Sequence, residues 1–247
     1  MISFNDFGKH ARLGNQLFQL ATIISLSLDN NDDFMISNFL YQEYYNMKIR
    51  IGNSNFDKYV EEDFSYNKIP YKKDLDIFGY FQSEKYFKHN EKYINEFFQI
   101  KKRYEYYLKD KYNDLLKNSL SLHIRRGDYV NSKAYMDLTK TDYYTKAIEY
   151  VKSNKKIDNI LLFSDDIEWC KRNIKISNIH YIREKDILEL YLMSYCENNI
   201  IANSSFSWWA SWLNQNTNKI IIAPKKWFGD VKKLSTKDLY SEKMIVL

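Results

Sequence analysis

Four polar clusters in this chain have the residue types and spacing to do chemistry. In His123-Ile124-Arg125-Arg126-Gly127-Asp128-Tyr129, two guanidinium groups follow an apolar run, and a guanidinium can hold two phosphate oxygens in one plane. In Asn203-Ser204-Ser205-Phe206, hydroxyls and an amide precede a helix-forming stretch, where backbone N–H groups and the positive end of the helix dipole attract an anion. Together the two clusters describe a diphosphate site. Asp165 and Asp166 have acceptors for the edge of a nucleobase such as guanine, or for a metal. Arg12, Gly14, Asn15 and Gln16 bring a positive charge, a flexible glycine and two amides to the start of an amphipathic stretch.

Each cluster also has a purely structural reading. Arg-Arg-Gly-Asp is a common surface turn. Asp166, Ser204, Ser205 and Asn15 are all residue types that cap helices. His123 inside an apolar strand is also a satisfied core histidine, and Trp208, Trp209 and Trp212 are core residues before they are a ligand platform. The convergence of three clusters on one edge of one sheet favours the chemical reading.

That sheet is predicted from the apolar runs at 120–124, 160–163, 179–182, 200–202 and 220–223, with helical stretches at 143–151, 167–174, 187–196 and 206–213 between them. In the last of these, Phe206, Trp209, Ala210 and Leu213 are expected to share one face. Such alternation implies a parallel sheet whose ligands sit at the carboxyl ends of the strands, where His123–Tyr129, Asp165–Asp166 and Asn203–Phe206 all fall. Leu17, Leu20, Ile24 and Leu28 recur at helical spacing, predicting a helix over 15–28 with Asn15 as its cap, followed by a strand at 34–37. Residues 40–118 are polar and Tyr- and Lys-rich. They carry helices near 84–98 and 104–117 but no resolved topology, and a boundary between lobes is expected near 112–119.

Composition narrows the class. With 247 residues, 45% apolar and 28% charged, the chain is long enough for two α/β lobes and too apolar for disorder to dominate. Gly and Pro number only 6 and 2, which argues against turn-dense all-β and low-complexity classes. The net charge of +5 comes from 37 basic and 32 acidic residues that are interspersed, so no nucleic-acid partner is expected. Cys170 and Cys196 lie far from any CxxC or His partner, so neither a disulfide framework nor a zinc site is expected. The apolar run Leu17 to Leu28 is too short to span a bilayer. A cytoplasmic protein with no integral membrane segment is the expectation, with peripheral membrane contact and oligomeric state left open. The GxGxxG, GK[ST] and HExxH patterns are absent, so hydride transfer, ATP hydrolysis and zinc-protease chemistry find no support.

Taken together, RLGNQLFQLA, HIRRGDYV, FSDDIEWC and ELYLMSYCENNIIANSSFSWWASWLN followed by KIIIAPKKWF resemble the α-1,2-fucosyltransferases of glycosyltransferase family 11. The resemblance covers most of 120–228 and the amino-terminal loop, and it departs from the family at Ala11, where a glycine is usual. It implies a GT-B-like α/β fold: two Rossmann-type lobes with the nucleotide-sugar site in the cleft between them. Residues 1–117 would form the acceptor-side lobe and 118–247 the GDP-fucose-binding lobe.

It further implies GDP-β-L-fucose as donor substrate, a glycan acceptor such as a β-galactoside, inversion at the anomeric carbon, no metal and no cofactor. By position, Arg125 resembles the arginine on the donor diphosphate, with His123 near the nucleotide and Arg126 and Asp128 shaping the loop. Asp165 or Asp166 resembles the acid that reads guanine, and Asn203, Ser204, Ser205 and Phe206 fall where a helix start meets the diphosphate. Arg12, Gly14, Asn15 and Gln16 match the motif facing the cleft, with Asn15 near the reacting centre. Asp128 is a candidate base for the acceptor proton, or a brace for Arg125 or Arg126. The rival readings are a transferase for another GDP-sugar or linkage, and a non-catalytic GDP-sugar or nucleic-acid binder.

Overall fold

A computed structural model describes residues 1–231 and 234–247. The chain forms two compact units, Met1–Glu105 with Leu234–Ser241, and a second from Tyr106 onward with Glu242–Leu247.

In the first unit, β1 (Ile2–Phe4) leads into α1 (Leu13–Asp29), then β2 (Phe34–Ile36), β3 (Arg50–Ile51), β4 (Asp57–Val60), β5 (Leu75–Phe78), α2 (Glu91–Phe97) and the start of α3 (Lys102–Leu116). The strands form one parallel sheet in the order β3-β2-β1-β5-β4. α1 holds its place because Leu17, Leu20, Ala21 and Ile24 are fully buried, a stripe at helical spacing. The segment 234–241 belongs here because the Asp238 carboxylate accepts hydrogen bonds from Tyr66 N (3.0 Å) and Lys85 Nζ (2.5 Å).

The second unit runs through β6 (Ser119–Ile124), α4 (Tyr143–Asn154), β7 (Asn159–Ser164), α5 (Ile167–Asn173), β8 (Ile179–Tyr181), α6 (Asp186–Tyr195), β9 (Asn198–Ile200), α7 (Ser205–Leu213), β10 (Ile221–Ala223) and β11 (Met244–Val246). Its sheet is parallel throughout, in the order β11-β10-β9-β6-β7-β8. β6 is buried along its whole length, as a central parallel strand must be. Leu120, Leu122 and Ile124 face a core shared with Ala147 and Val151 of α4. The alternate residues Ser119, Ser121 and His123 face the other side. Two parallel α/β units match the GT-B-like fold class that the resemblance implies.

Several expectations are corrected. The first helix starts at Leu13 with Arg12 at its cap position and no side-chain cap bond, so Asn15 lies inside the first turn and is not the cap. β9 covers 198–200, two residues earlier than the apolar run suggests. It is displaced because Asn199 is satisfied inside the core, donating from Nδ2 to Ser121 Oγ (2.7 Å) and Met193 O (2.8 Å). α7 has no single apolar face: every residue from Ser207 to Leu213 is buried. The second unit takes α3 from Tyr106 onward, whereas the expected lobe boundary at 117/118 falls after that helix.

Candidate active site

In the second sheet, β6 has β7 on one side and β9 on the other, so the chain reverses its winding direction between β6 and β9. The carboxyl ends of strands at such a switch point form the ligand crevice of open α/β sheets. His123–Tyr129 leaves β6 there, Asn203–Phe206 leaves β9 opposite it, and Asp165–Asp166 leaves the adjoining β7. The fold therefore brings all three clusters to one edge.

The two arginines part company as β6 ends. Arg125 Nη1 lies 2.8 Å from Asp165 Oδ2, Nη2 contacts Asp128 Oδ1, and the guanidinium carbon sits 5.2 Å from the centre of the Tyr129 ring. Arg126 is held in a different pocket. Its guanidinium carbon stacks 3.6 Å above the centre of the Trp169 ring, Nε reaches Asp166 Oδ2 at 3.2 Å, and Nη1 donates to Thr139 Oγ1 at 3.0 Å. Those contacts engage Nε, Nη1 and one face of the group, so Arg126 braces α5 and the 137–140 turn. Asp128 contacts Arg125, which is the bracing arrangement rather than that of a free carboxylate.

The carboxylates of β7's exit are equally engaged. Asp165 Oδ1 accepts from Arg126 N at 2.9 Å while Oδ2 meets Arg125. Asp166 caps α5 by accepting from Trp169 N (3.1 Å) with Oδ1, the structural role its residue type allows. Gly127 makes the approach of Asp165 possible, since a Cβ there would overlap Asp165 Oδ2.

His123 is buried, its Nδ1 2.8 Å from Ser207 Oγ on α7 and its ring 5.6 Å from that of Phe206. Burial and the neighbouring Arg125 charge push its pKa down to about 3, so the imidazole is neutral at physiological pH. It acts as a hydrogen-bonding wedge between β6 and α7 and not as a proton acceptor. Ser204 caps α7, accepting from Phe206 N (3.4 Å), and Ser205 and Phe206 open the helix half-exposed. Asn203 is buried and donates from Nδ2 to Met136 O (2.9 Å) and Trp227 O (2.8 Å). Its Oδ1 has no hydrogen-bond partner among the described residues.

Sequence reasoning singled out neither Tyr129 nor Trp169, Thr139 and Ser207. Tyr129 stacks flat on Tyr135 at 4.2 Å and 6° and donates to Asn203 O (3.2 Å), tying the β6 loop to the entry of α7. Its place inside the motif and that of Trp169 one turn after Asp166 were the available signals. Arg12, Gly14, Asn15 and Gln16 belong to the first unit. There Arg12 is exposed, Gly14 is buried, Gln16 Nε2 donates to Ala11 O (2.8 Å) and Asn15 Oδ1 accepts from Gln82 Nε2 (2.7 Å). Among the described residues no group of three or more His, Cys, Asp or Glu is placed to hold a metal, and no helix is long and apolar enough to cross a membrane. Both cysteines are free and buried, and burial drives the Cys196 thiol up to about 12.

The chain is similar to several known proteins. An α-1,2-colitosyltransferase from Escherichia coli is 36% identical over 69% of this chain and 62% of its own. A galactoside 2-α-L-fucosyltransferase from Caenorhabditis elegans is 28% identical over 67% and 48%. The chain thus spans about half to three-fifths of the length of these relatives. In structure it is similar to the Bradyrhizobium α-1,6-fucosyltransferase NodZ soaked with GDP-fucose, with a TM-score of 0.55, 10% identity and coverage of 86% of this chain and 91% of that one. That degree of likeness speaks for the fold. The model of glycosyl transferase family 11 matches residues 2–245, nearly the whole chain, and the protein belongs to that family.

Proposed function

We propose that this chain transfers L-fucose from GDP-β-L-fucose to a galactoside hydroxyl, forming an α-1,2 linkage with inversion. The observation that carries the reading is Arg125, held by Asp165, Asp128 and Tyr129 at the switch point of the second sheet, in a chain of this family. As the bond from fucose C1 to the diphosphate loosens, the sugar takes on oxocarbenium character and the leaving diphosphate gains negative charge. Arg125 and the first turn of α7 stabilise that charge. Because both are fixed before the donor arrives, little reorganisation is spent on the reaction.

The tether from Tyr129 to Asn203 keeps arginine and helix start in register. His123, neutral and bonded to Ser207, supports α7 without adding a competing positive charge. The acceptor proton leaves to a group other than His123, whose basicity is too low.

A second reading has a specific observation behind it: the relative named α-1,2-colitosyltransferase points to GDP-colitose as an alternative donor with the same linkage. One experiment separates them. The protein is incubated with GDP-fucose or GDP-colitose and β-galactoside acceptors, and the products are analysed by mass and linkage. The proposal expects an α-1,2-fucosylated product. Transfer from GDP-colitose alone would move the donor assignment, and binding of GDP-fucose without turnover on any acceptor would overturn the reading.

A further inference from the structure

Tyr135 belongs to none of the four polar clusters, yet the backbone around it is fastened beside two of them. Tyr135 and Phe228 form an antiparallel bridge, and Gly229 N donates to Ala134 O at 3.0 Å. The approach is close enough to require glycine, because a Cβ on Gly229 would fall 2.3 Å from Lys133 O. Asn203, at the entry of α7, fastens both segments at once: its Nδ2 donates to Met136 O (2.9 Å) and to Trp227 O (2.8 Å). An amide nitrogen carries two hydrogens, and here both go to the paired backbone.

The paired segments deliver the Tyr135 ring to Tyr129. The two rings lie 4.2 Å apart and 6° from parallel, and Tyr135 also meets the Phe228 ring at 6.2 Å. Tyr129 is the aromatic ring beside Arg125, 5.2 Å from its guanidinium carbon, and its hydroxyl donates to Asn203 O at 3.2 Å. The contacts close a circuit: Arg125 to Tyr129, Tyr129 to Tyr135, Tyr135 across the bridge to 227–229, and through Asn203 back to Tyr129. The hydroxyl bond fixes one end of the Tyr129 ring, about which the ring can still turn, and the stack fixes its plane. The other groups that hold Arg125 are carboxylates, with the side chains of Asp128 and Asp165 52% and 27% exposed. Ion pairs to carboxylates open to water are screened and loose in geometry. They locate the charge, while the Tyr129 ring limits where the guanidinium can swing.

We propose that Tyr135 is a positioning residue for Arg125: stacked on Tyr129 and held by the 227–229 segment, it keeps the guanidinium in the orientation that meets the leaving diphosphate. The inference rests on the proposed role of Arg125 in fucosyl transfer, and every residue in it belongs to the second unit. An arginine that swings out of place still attracts a charged donor. It no longer has both arms on the oxygens that gain charge as the bond breaks. The effect therefore falls on kcat rather than on KM.

The test is steady-state transfer from GDP-fucose by the full chain, reading kcat and KM, with thermal melting as the check on folding. Tyr135→Leu keeps apolar bulk and loses the flat face. Its kcat is expected to fall about tenfold or more, with KM changed less than about threefold. Tyr135→Phe keeps the face and should stay within about twofold of the parent. Gly229→Ala adds only a methyl against Lys133 O, so it should lower kcat by displacing Tyr135 from a distance. It also keeps the proposal testable if Tyr135→Leu fails to fold. On an Arg125→Lys background neither change should slow transfer further, because the planar group they orient is gone. A parental kcat in folded Tyr135→Leu or Gly229→Ala, beside a slow Arg125→Lys, would overturn the proposal and leave Arg125 in its role. So would losses that multiply in the double variants, or a raised KM at unchanged kcat, the pattern of a residue that binds the donor itself. A parental kcat in Arg125→Lys would instead remove the arginine from the reaction, and the functional reading would fall together with the proposal.

Discussion

Exchanging each of the adjacent arginines for lysine should give opposite phenotypes. Arg126→Lys keeps the charge but loses the planar face that lies 3.6 Å over Trp169 and the second arm that reaches Thr139. A cation–π contact at a largely desolvated site contributes about 0.5–2 kcal/mol, and a hydrogen bond from a charged group about 1.5–3 kcal/mol. Allowing for recovery of part of the Asp166 pair by the lysine, the loss is about 2–3 kcal/mol. For a chain of this size that lowers the melting temperature by roughly 5–10 °C. Arg125→Lys keeps its charge beside Asp165 and Asp128, the latter half-exposed, and should cost less than about 1 kcal/mol of stability. Its deficit should lie in turnover. Losing a planar, preorganised donor to the leaving diphosphate costs about 3–4 kcal/mol of transition-state stabilisation, or about 10²–10³ in kcat. The assay is thermal melting of both variants together with steady-state transfer from GDP-fucose. A stable Arg125→Lys with near-parental kcat, or an Arg126→Lys that melts normally and fails to turn over, would refute the division of labour.

Other outcomes follow from single contacts. Gly127→Ala should force Asp165 away from Arg125 and Arg126 N. An overpacked site of this kind costs about 1–3 kcal/mol, so a variant with parental melting temperature and kcat would contradict the crowding. Burial raises the half-buried Glu189 carboxyl to about 7, even though it accepts from Glu184 N at 3.0 Å. A raised carboxyl stabilises the fold below its unfolded value, and that contribution is lost as pH rises through 7. Glu189→Gln keeps the acceptor and should therefore be more stable than the parent at pH 8, by up to about 3 kcal/mol. The difference should shrink below pH 7 and vanish by about pH 4, under the unfolded value, and a gap independent of pH in melts would disprove the assignment. Activity should survive chelation, because in the proposed reaction Arg125 offsets the charge of the diphosphate, and both Asp165 and Asp166 are engaged by arginines. Complete loss in EDTA with recovery on Mn²⁺ or Mg²⁺ would make the aspartates metal ligands.

The second unit was largely legible in the sequence because its strands are long and buried enough to show. β6 and β7 are six residues each, with three and four apolar positions, and each ends in a polar cluster at the sheet edge. The first unit was hidden for the converse reason. β3 and β4 have two and four residues that are mostly exposed, too short for a period-2 pattern to stand out from a Tyr- and Lys-rich background. Asn15 reads as a helix cap by residue type, yet the helix begins two residues earlier because Leu13 is itself buried in the core. At Asp166 and Ser204 the capping and site readings were never exclusive: both cap their helices at the edge where the clusters meet.

The most direct measurement is amide hydrogen exchange with and without GDP. The account predicts that GDP first slows exchange in 123–130 and 203–207, the two strands' exits at the switch point of the second sheet. Protection confined to 30–110, or none at saturating GDP, would contradict it.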